Sequence, residues 1–130
     1  GGIISDGFSL VPEGLLAEGK HHPRSYGAFP YFLQRFVREQ GVLTWEAAIH
    51  KLTGYAASRF RLADRGVLRP GAWADVLVFD PERIAATADF DQPYQYPHGV
   101  EWVLLNGEVV VEKGNLHEKL AGQVLRAAAS

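Results

Sequence analysis

The pattern of apolar and polar positions divides the chain into a helical first half and a β-rich second half. Apolar residues at helical spacing predict a helix over residues 28–40, in which Pro30 lies near the start and Gly41 marks the end. A second helix is predicted to begin after Thr44, a suitable N-cap, and to restart as a short helix near residues 56–60. The predicted buried positions are Phe29, Phe32, Leu33, Phe36 and Val37 in the first helix, and Trp45, Ala48, Ile49, Leu52 and Ala56 in the second.

From residue 64 onward the pattern becomes that of β-strands. In residues 74–81, apolar residues fall on both faces of an extended chain, which predicts a strand covered on both faces. Residues 100–105 and 108–111 predict a hairpin, because the Asn-Gly pair between them favours a type I′ turn. The connection 81–97, rich in aromatic residues and proline, is typical of a segment that covers an edge or contacts a neighbour. Residues 122–130 are expected to form a frayed tail.

The first residues of the chain combine an apolar pair with an isolated acid. Ile3 and Ile4 predict a short buried strand that ends at Ser5, Asp6 and Gly7. An acid at the carboxyl end of a buried strand is typical of active sites, where it serves as a general acid or base or as a metal ligand. The alternative is that Asp6 caps a turn, since Ser-Asp-Gly is ordinary turn chemistry.

The polar loop that follows ends in a second group of chemically useful residues. Pro23 fixes its own backbone and favours an extended His22, which would hold Arg24 in a defined direction. Arginine is suited to carboxylates because it donates two parallel hydrogen bonds to them. The alternative is a surface loop whose charges are simply solvated.

Composition narrows the classes of function. The chain has 130 residues, of which 47% are hydrophobic and 22% charged, as in globular proteins. The formal net charge of −2 gives no reason to expect a nucleic-acid partner or an anionic membrane surface. No apolar stretch approaches the roughly 20 residues of a membrane span. With no cysteine, the chain fits a reducing compartment, and we expect a cytoplasmic location.

The chain contains no complete catalytic motif of its own. Its five histidines form neither a His-x-His pair nor a His-Glu-x-x-His helix, so that no complete metal site is recognisable. Nucleotide-binding glycine motifs and the Gly-x-Ser-x-Gly motif of serine hydrolases are also missing. Since the sequence contains no methionine, we expect it to be the carboxyl-terminal part of a longer protein.

Several segments, taken together, carry a resemblance to one family. They are Ser5-Asp6-Gly7, His22-Pro23-Arg24-x-Tyr26-Gly27-x-Phe29-Pro30, Val37-Arg38-Glu39-x-Gly41-Val42-Leu43-Thr44, Asp64-Arg65-Gly66, and Gly71-Ala72-Trp73-Ala74-Asp75-x-x-Val78-Phe79-Asp80-Pro81. They look like the carboxyl-terminal part of N-acyl-D-amino-acid deacylases (D-aminoacylases), which belong to the metal-dependent amidohydrolase superfamily. The resemblance covers nearly the whole chain, and its narrowest signal is the His-Pro-Arg run.

The resemblance implies an α/β plus β fold. Residues 1–62 would hold the last strand, the active-site loop and the terminal helices of a (β/α)8 TIM barrel, and residues 63–130 would hold strands of a small β-sandwich and the tail. The implied reaction is hydrolysis of N-acyl-D-amino acids, with zinc bound mainly by residues outside this chain. The implied partners are a small N-acyl amino acid and the remainder of the same polypeptide, or a complementary chain.

The resemblance also implies roles for particular residues. Asp6 would match the acid that takes a proton from the metal-activated water and passes it to the leaving amine, and in some relatives this acid also touches the metal. Arg24 would match the arginine that binds the substrate α-carboxylate. The other residues predicted to bind substrate or shape its loop are Ser5, Gly7, His22 and Tyr26.

Two alternatives to this function remain open. An amidohydrolase acting on cyclic amides, of the dihydroorotase or hydantoinase kind, has less need for Arg24 as a carboxylate-binding residue. The isolated chain could instead be a non-catalytic scaffold or a partner-binding fragment, because the expected metal ligands lie elsewhere. The loop 8–21 is long for the family, which could change the specificity for the acyl group or mark a neighbouring branch.

Overall fold

The computed structural model describes residues 1–126, apart from the side chain of Leu16, and it places the helices before the strands. Among these residues, none of the helices is both long enough and apolar enough to cross a membrane. The helical elements are a 3-10 turn (Gly14–Ala17), α1 (Arg24–Phe32), a π-helical segment (Leu33–Glu39), α2 (Trp45–Leu52) and α3 (Gly54–Arg59).

Within the described residues, four strands form one antiparallel sheet in the order β1-β2-β3-β4. The predicted hairpin is confirmed, because Asn106 and Gly107 have φ values of 53° and 87°, both positive as a type I′ turn requires. The second hairpin strand extends one residue beyond the predicted end at Val111, and a two-residue strand follows the turn at Gly114. The strands are β1 (Val76–Phe79), β2 (Val100–Leu105), β3 (Glu108–Glu112) and β4 (Asn115–Leu116).

Helix α1 begins at Arg24, earlier than the predicted start at residue 28. Pro23 occupies its N-cap position with a φ of −59°, a value compatible with the start of a helix. The first turn contains Ser25 and Gly27, which give no apolar periodicity, so that the pattern could not reveal it. Pro30 consequently lies inside α1 and not near its start.

The second half of the predicted helix is π-helical, and its apolar face is only partly buried. Phe32, Leu33 and Val37 are buried as predicted, whereas Phe29 and Phe36 are about two-fifths exposed. A π-helical segment shifts its positions relative to an α-helix, so a strict 3.6-residue period fails from Leu33 onward, which accounts for Phe36. Phe29 lies in α1, before this segment, and the shift does not explain its exposure.

The core lies between the π-helical segment, α2 and the chain that follows β1. The N-cap of α2 is confirmed, since the Thr44 hydroxyl oxygen accepts a hydrogen bond from the Ala47 amide at 3.2 Å. Ile84, on the connection between β1 and β2, is 1% exposed and joins the helices to the sheet. The buried residues of this cluster are Phe32, Leu33, Val37, Ala48 and Ile84.

Two predictions about strands are wrong for the described residues. Ile3 and Ile4 belong to no strand, because no described strand lies beside them to complete their backbone hydrogen bonds, and Ile4 is 84% exposed. Strand β1 is not covered on both faces, because Leu77 and Val78 are about half exposed. Of the predicted tail, residues 122–126 form neither helix nor strand, and residues 127–130 lie outside the described residues.

A polar network joins the segment before β1 to the hairpin turn. Asp75 pairs with the Arg65 guanidinium and accepts a hydrogen bond from the Asn106 amide at 2.9 Å. Burial raises the pKa of the Asp75 carboxyl, but the hydrogen bonds from Asn106 and Arg65 outweigh it, so that the pKa lies below its usual value. Arg65 also lies 5.1 Å from the centre of the Trp73 ring. The network therefore fixes the sheet against the segment that leads from the helices.

Candidate active site

The structure brings together the two residues with the strongest predicted roles. The Arg24 guanidinium lies 3.1 Å from a carboxylate oxygen of Asp6. The side chains are 79% exposed for Asp6 and 42% exposed for Arg24, so the pair lies at the surface of the described chain. An exposed ion pair contributes little to stability, and both groups remain accessible to a ligand.

Backbone contacts with the first turn of α1 bring Asp6 to this position. The Phe8 amide donates a hydrogen bond to the Ser25 hydroxyl at 3.2 Å, and the Gly7 amide donates one to the Ser5 hydroxyl at the same distance. A Cβ on Gly7 would lie only 2.9 Å from the Ser25 Cα, so the close approach requires glycine. Asp6 itself has a φ of 49°, in the left-handed region that aspartate tolerates better than most residues.

His22 makes two contacts that support the start of helix α1. Its Nδ1 atom accepts a hydrogen bond from the Arg24 amide at 3.1 Å. Its ring packs edge-on against Phe90, with the ring centres 4.9 Å apart. Both contacts fix the backbone immediately before Arg24.

Tyr26 lies in an aromatic cluster behind the same loop. Its ring is 5.9 Å from those of both Tyr94 and Tyr96, in edge-on geometry. Its hydroxyl is buried and has no hydrogen-bond partner among the described residues. Burial raises the pKa of Tyr26, and the neighbouring Tyr96 and Tyr94 add to this effect, so the phenol stays protonated at neutral pH. These contacts favour a role in shaping the loop.

Phe90 and Tyr94 also belong to this site, although no sequence pattern predicts it. They belong to the connection between β1 and β2, and they reach the loop before α1 from a position about seventy residues further along the chain. The density of aromatic residues and proline in this connection is the only local signal, and it shows that the connection packs against something without showing what.

The described residues do not assemble a metal site. No group of three or more His, Cys, Asp or Glu side chains in this part of the chain is close enough to hold a metal ion. Asp6 is a single carboxylate, and its described partner is a cation. What the arrangement offers is one accessible proton acceptor beside one accessible carboxylate-binding group.

Comparison with known proteins places these features in a family. The sequence profile described as Amidohydrolase family matches residues 14–111, and the chain belongs to this family. The chain is 39% identical over 129 residues to D-aminoacylase of Alcaligenes xylosoxydans xylosoxydans, covering 98% of this chain and 27% of that enzyme. It is 42% identical over 113 residues to the N-acyl-D-aspartate deacylase of the same organism, covering 87% of this chain and 23% of that enzyme.

A solved structure extends the similarity to the fold. N-acyl-D-glutamate deacylase from Bordetella bronchiseptica, complexed with zinc and a phosphonate inhibitor that mimics the tetrahedral intermediate, matches with a TM-score of 0.77 and 44% identity. The match covers 83% of this chain and 23% of that chain. The chain thus spans about a quarter of the length of these relatives. The predicted resemblance to N-acyl-D-amino-acid deacylases is confirmed, and the described residues have the fold of the corresponding part of such an enzyme.

Proposed function

We propose that this chain is part of a zinc-dependent amidohydrolase that hydrolyses N-acyl-D-amino acids to a carboxylate and a D-amino acid. The observation that carries the proposal is the 3.1 Å pairing of Asp6 with Arg24. In an N-acyl amino acid, only the α-carbon separates the amide nitrogen from the carboxylate. A group that protonates this nitrogen and a group that binds this carboxylate must therefore lie side by side, as these two do.

The proposed chemistry uses both residues in turn. The substrate α-carboxylate binds the Arg24 guanidinium through two hydrogen bonds and takes the place of Asp6. The freed Asp6 carboxylate accepts a proton from the water that attacks the amide carbonyl carbon, and it delivers that proton to the amine nitrogen as the C–N bond breaks. The left-handed backbone of Asp6 supports a functional role, since such conformations are concentrated at active sites.

The zinc ion of this proposal is held by residues outside the chain. The described residues contain no cluster of three potential ligands, and Asp6 can contribute a single carboxylate. Support for zinc comes from the related deacylase solved with that metal. The remainder of the same polypeptide, or a complementary chain, would have to supply the ligands.

We extend the proposal to the architecture of the whole enzyme. Residues 1–62 would close a (β/α)8 barrel, and residues 63–130 would belong to a small β-sandwich. The order of elements supports this division, because the last described helix ends at Arg59 and the first strand begins at Val76. The proposal also includes a cytoplasmic location and no nucleic-acid or membrane partner.

The proposal is tested with the intact protein that contains this chain. Amine release is measured from N-acetyl-D-amino acids and from their L enantiomers. Ring opening is measured for dihydroorotate and hydantoins, whose hydrolysis yields an N-carbamoyl amino acid and no free amine. We expect hydrolysis of the D substrates, loss of activity with a chelator and recovery with zinc. Ring opening of a cyclic amide in preference to the linear substrates would favour the alternative function, and inactivity towards the D substrates would overturn the proposal.

A further inference from the structure

We propose that Tyr94 is a positioning residue for Arg24, and that it acts by holding the loop that leads into α1. This inference rests on the proposed function, in which Arg24 binds the substrate carboxylate. Tyr94 lies at the tip of the connection between β1 and β2. We define the tip as residues 89–96. The tip reaches the loop from a direction that no local sequence pattern indicates.

The base of this connection is fixed to the sheet and to the helices. The Asp80 amide donates to the Gly99 carbonyl at 2.8 Å, which closes the connection where it leaves and rejoins the sheet. The Arg38 guanidinium donates to the Ile84 carbonyl at 2.7 Å and to the Pro81 carbonyl at 3.1 Å. With both ends anchored, the tip has a defined place relative to α1.

The tip is also ordered internally. The Asp89 carboxylate accepts hydrogen bonds from the Asp91 amide at 2.8 Å and from the Gln92 amide at 2.6 Å, which forms a tight turn. The Thr87 hydroxyl donates to the Tyr96 carbonyl at 2.7 Å and joins the segment before the tip to the last residue of the tip. An element held in this way can fix the position of a loop that packs against it.

Tyr94 contacts the loop through both its hydroxyl and its ring. The hydroxyl donates to the Gly19 carbonyl and accepts a hydrogen bond from the His21 amide at 3.4 Å. The ring packs edge-on against His21, with the ring centres 6.1 Å apart, and against Tyr26. Tyr94 therefore holds the backbone before Arg24 and a side chain of the first helical turn after it.

A second contact on the same tip supports this interpretation. Phe90 packs against His22, whose Nδ1 accepts the Arg24 amide hydrogen. Lys20 and Asp91 add an exposed ion pair at 3.8 Å. Three successive residues of the loop, from 20 to 22, thus contact the tip. The direction of the Arg24 side chain depends on a segment that does not itself need to touch the substrate.

The first test is Tyr94→Phe in the intact enzyme, which removes only the hydroxyl. Because one net hydrogen bond corresponds to about a 2- to 10-fold change in an equilibrium, we expect KM for N-acyl-D-amino acids to rise by about that factor. We expect kcat to stay unchanged, and KM for the matching N-acyl-D-amino-acid amides, which lack the carboxylate, to stay unchanged. A merely structural role would lower the active fraction and hence the apparent kcat, leaving KM unaltered.

Tyr31→Phe is the matched control, because Tyr31 is a half-exposed tyrosine on α1 that packs against Phe36. We expect it to leave both constants unaltered. Hydrogen exchange gives a readout that does not depend on activity. The amide of His21 loses its acceptor in Tyr94→Phe, so exchange in the peptide covering residues 19–24 should accelerate in that variant only.

The outcomes separate this inference from the proposed function. An intact wild-type protein that does not hydrolyse N-acyl-D-amino acids overturns both. If the wild type is active and Tyr94→Phe leaves KM for these substrates unchanged, only the positioning role is overturned. An equal rise in KM for the carboxylate substrates and the amides also overturns it, because the effect would then not pass through Arg24.

Discussion

At the scale of single residues, the ion pair of Asp6 and its proposed catalytic role exclude each other at any one moment. In the described chain it pairs with Arg24, and in the proposed reaction it carries a proton to the leaving amine. Asp6→Asn keeps the shape but removes the proton acceptor, so we expect kcat in the intact enzyme to fall about 100-fold or more with zinc content unchanged. Steady-state kinetics and metal analysis check this, and near-normal turnover would refute the assignment.

Substitution of Arg24 tests its proposed role in binding the substrate carboxylate. Arg24→Ala should lower kcat/KM for N-acyl-D-amino acids about 100-fold or more, since two charge-assisted hydrogen bonds are lost. The amides of the same amino acids should lose little. Arg35→Ala is the control, because Arg35 pairs with Glu39 at 3.0 Å and is 48% exposed, close to the 42% of Arg24. Equal losses for acids and amides would argue against a carboxylate-binding role.

These two residues were identified from the sequence, but their surroundings were not. The residue types of Asp6 and Arg24, with the glycine and proline beside them, are local features. The packing of Phe90 on His22 joins positions 22 and 90, and no spacing rule connects two loops so far apart. These local features left other roles open for both residues, and the family resemblance supplied the roles, which stay predictions. The packing around the two residues could come only from the fold.

At the scale of elements, the connection between β1 and β2 depends on one close approach. Gly99 has a φ of +78°, and a Cβ there would lie 2.5 Å from the Ile84 amide nitrogen. Gly114 has a similar φ of +80° but no atom within 4 Å of its Cβ position. An alanine at either position would have the same left-handed backbone, but only at Gly99 would its Cβ be crowded. The two glycines therefore form a matched pair.

We predict that Gly99→Ala destabilises the intact protein more than Gly114→Ala does. Both substitutions cost about 1 kcal/mol for the left-handed backbone, and crowding adds about 1–3 kcal/mol at Gly99 alone. Denaturant unfolding of the two variants and the wild type measures the difference. Equal free energies of unfolding would show that the backbone of Ile84 can move aside at no cost.

Elements were predictable where short-range rules determine them. The Thr44 N-cap and the Asn106-Gly107 turn each follow from the chemistry of one or two residues, and both are confirmed. The strand at Ile3 and Ile4 was wrong because a strand is completed by its neighbour, and no described strand lies beside it. The pattern does not predict the early start of α1, because the first turn packs through polar contacts and close approaches. Such contacts need no apolar residues at helical spacing.

At the scale of the whole molecule, the described chain has a small core and a large apolar surface. Six hydrophobic residues are buried, while large apolar side chains such as Phe8, Leu68 and Val124 are at least two-thirds exposed. Exposed apolar surface of this kind is typical of surfaces that another part of a protein covers. The chain spans about a quarter of the length of the relatives that it matches.

The last prediction concerns a polypeptide limited to residues 1–130. Because no three potential ligands meet in the described part of the chain, we expect it to bind less than one equivalent of zinc, whereas the intact protein should bind at least one. It should also bind a hydrophobic dye such as ANS more strongly per residue, since its apolar surface is uncovered. Equilibrium dialysis with metal analysis and dye fluorescence check both statements. One tightly bound zinc ion in the short polypeptide would contradict the proposal that the zinc ligands lie outside residues 1–130.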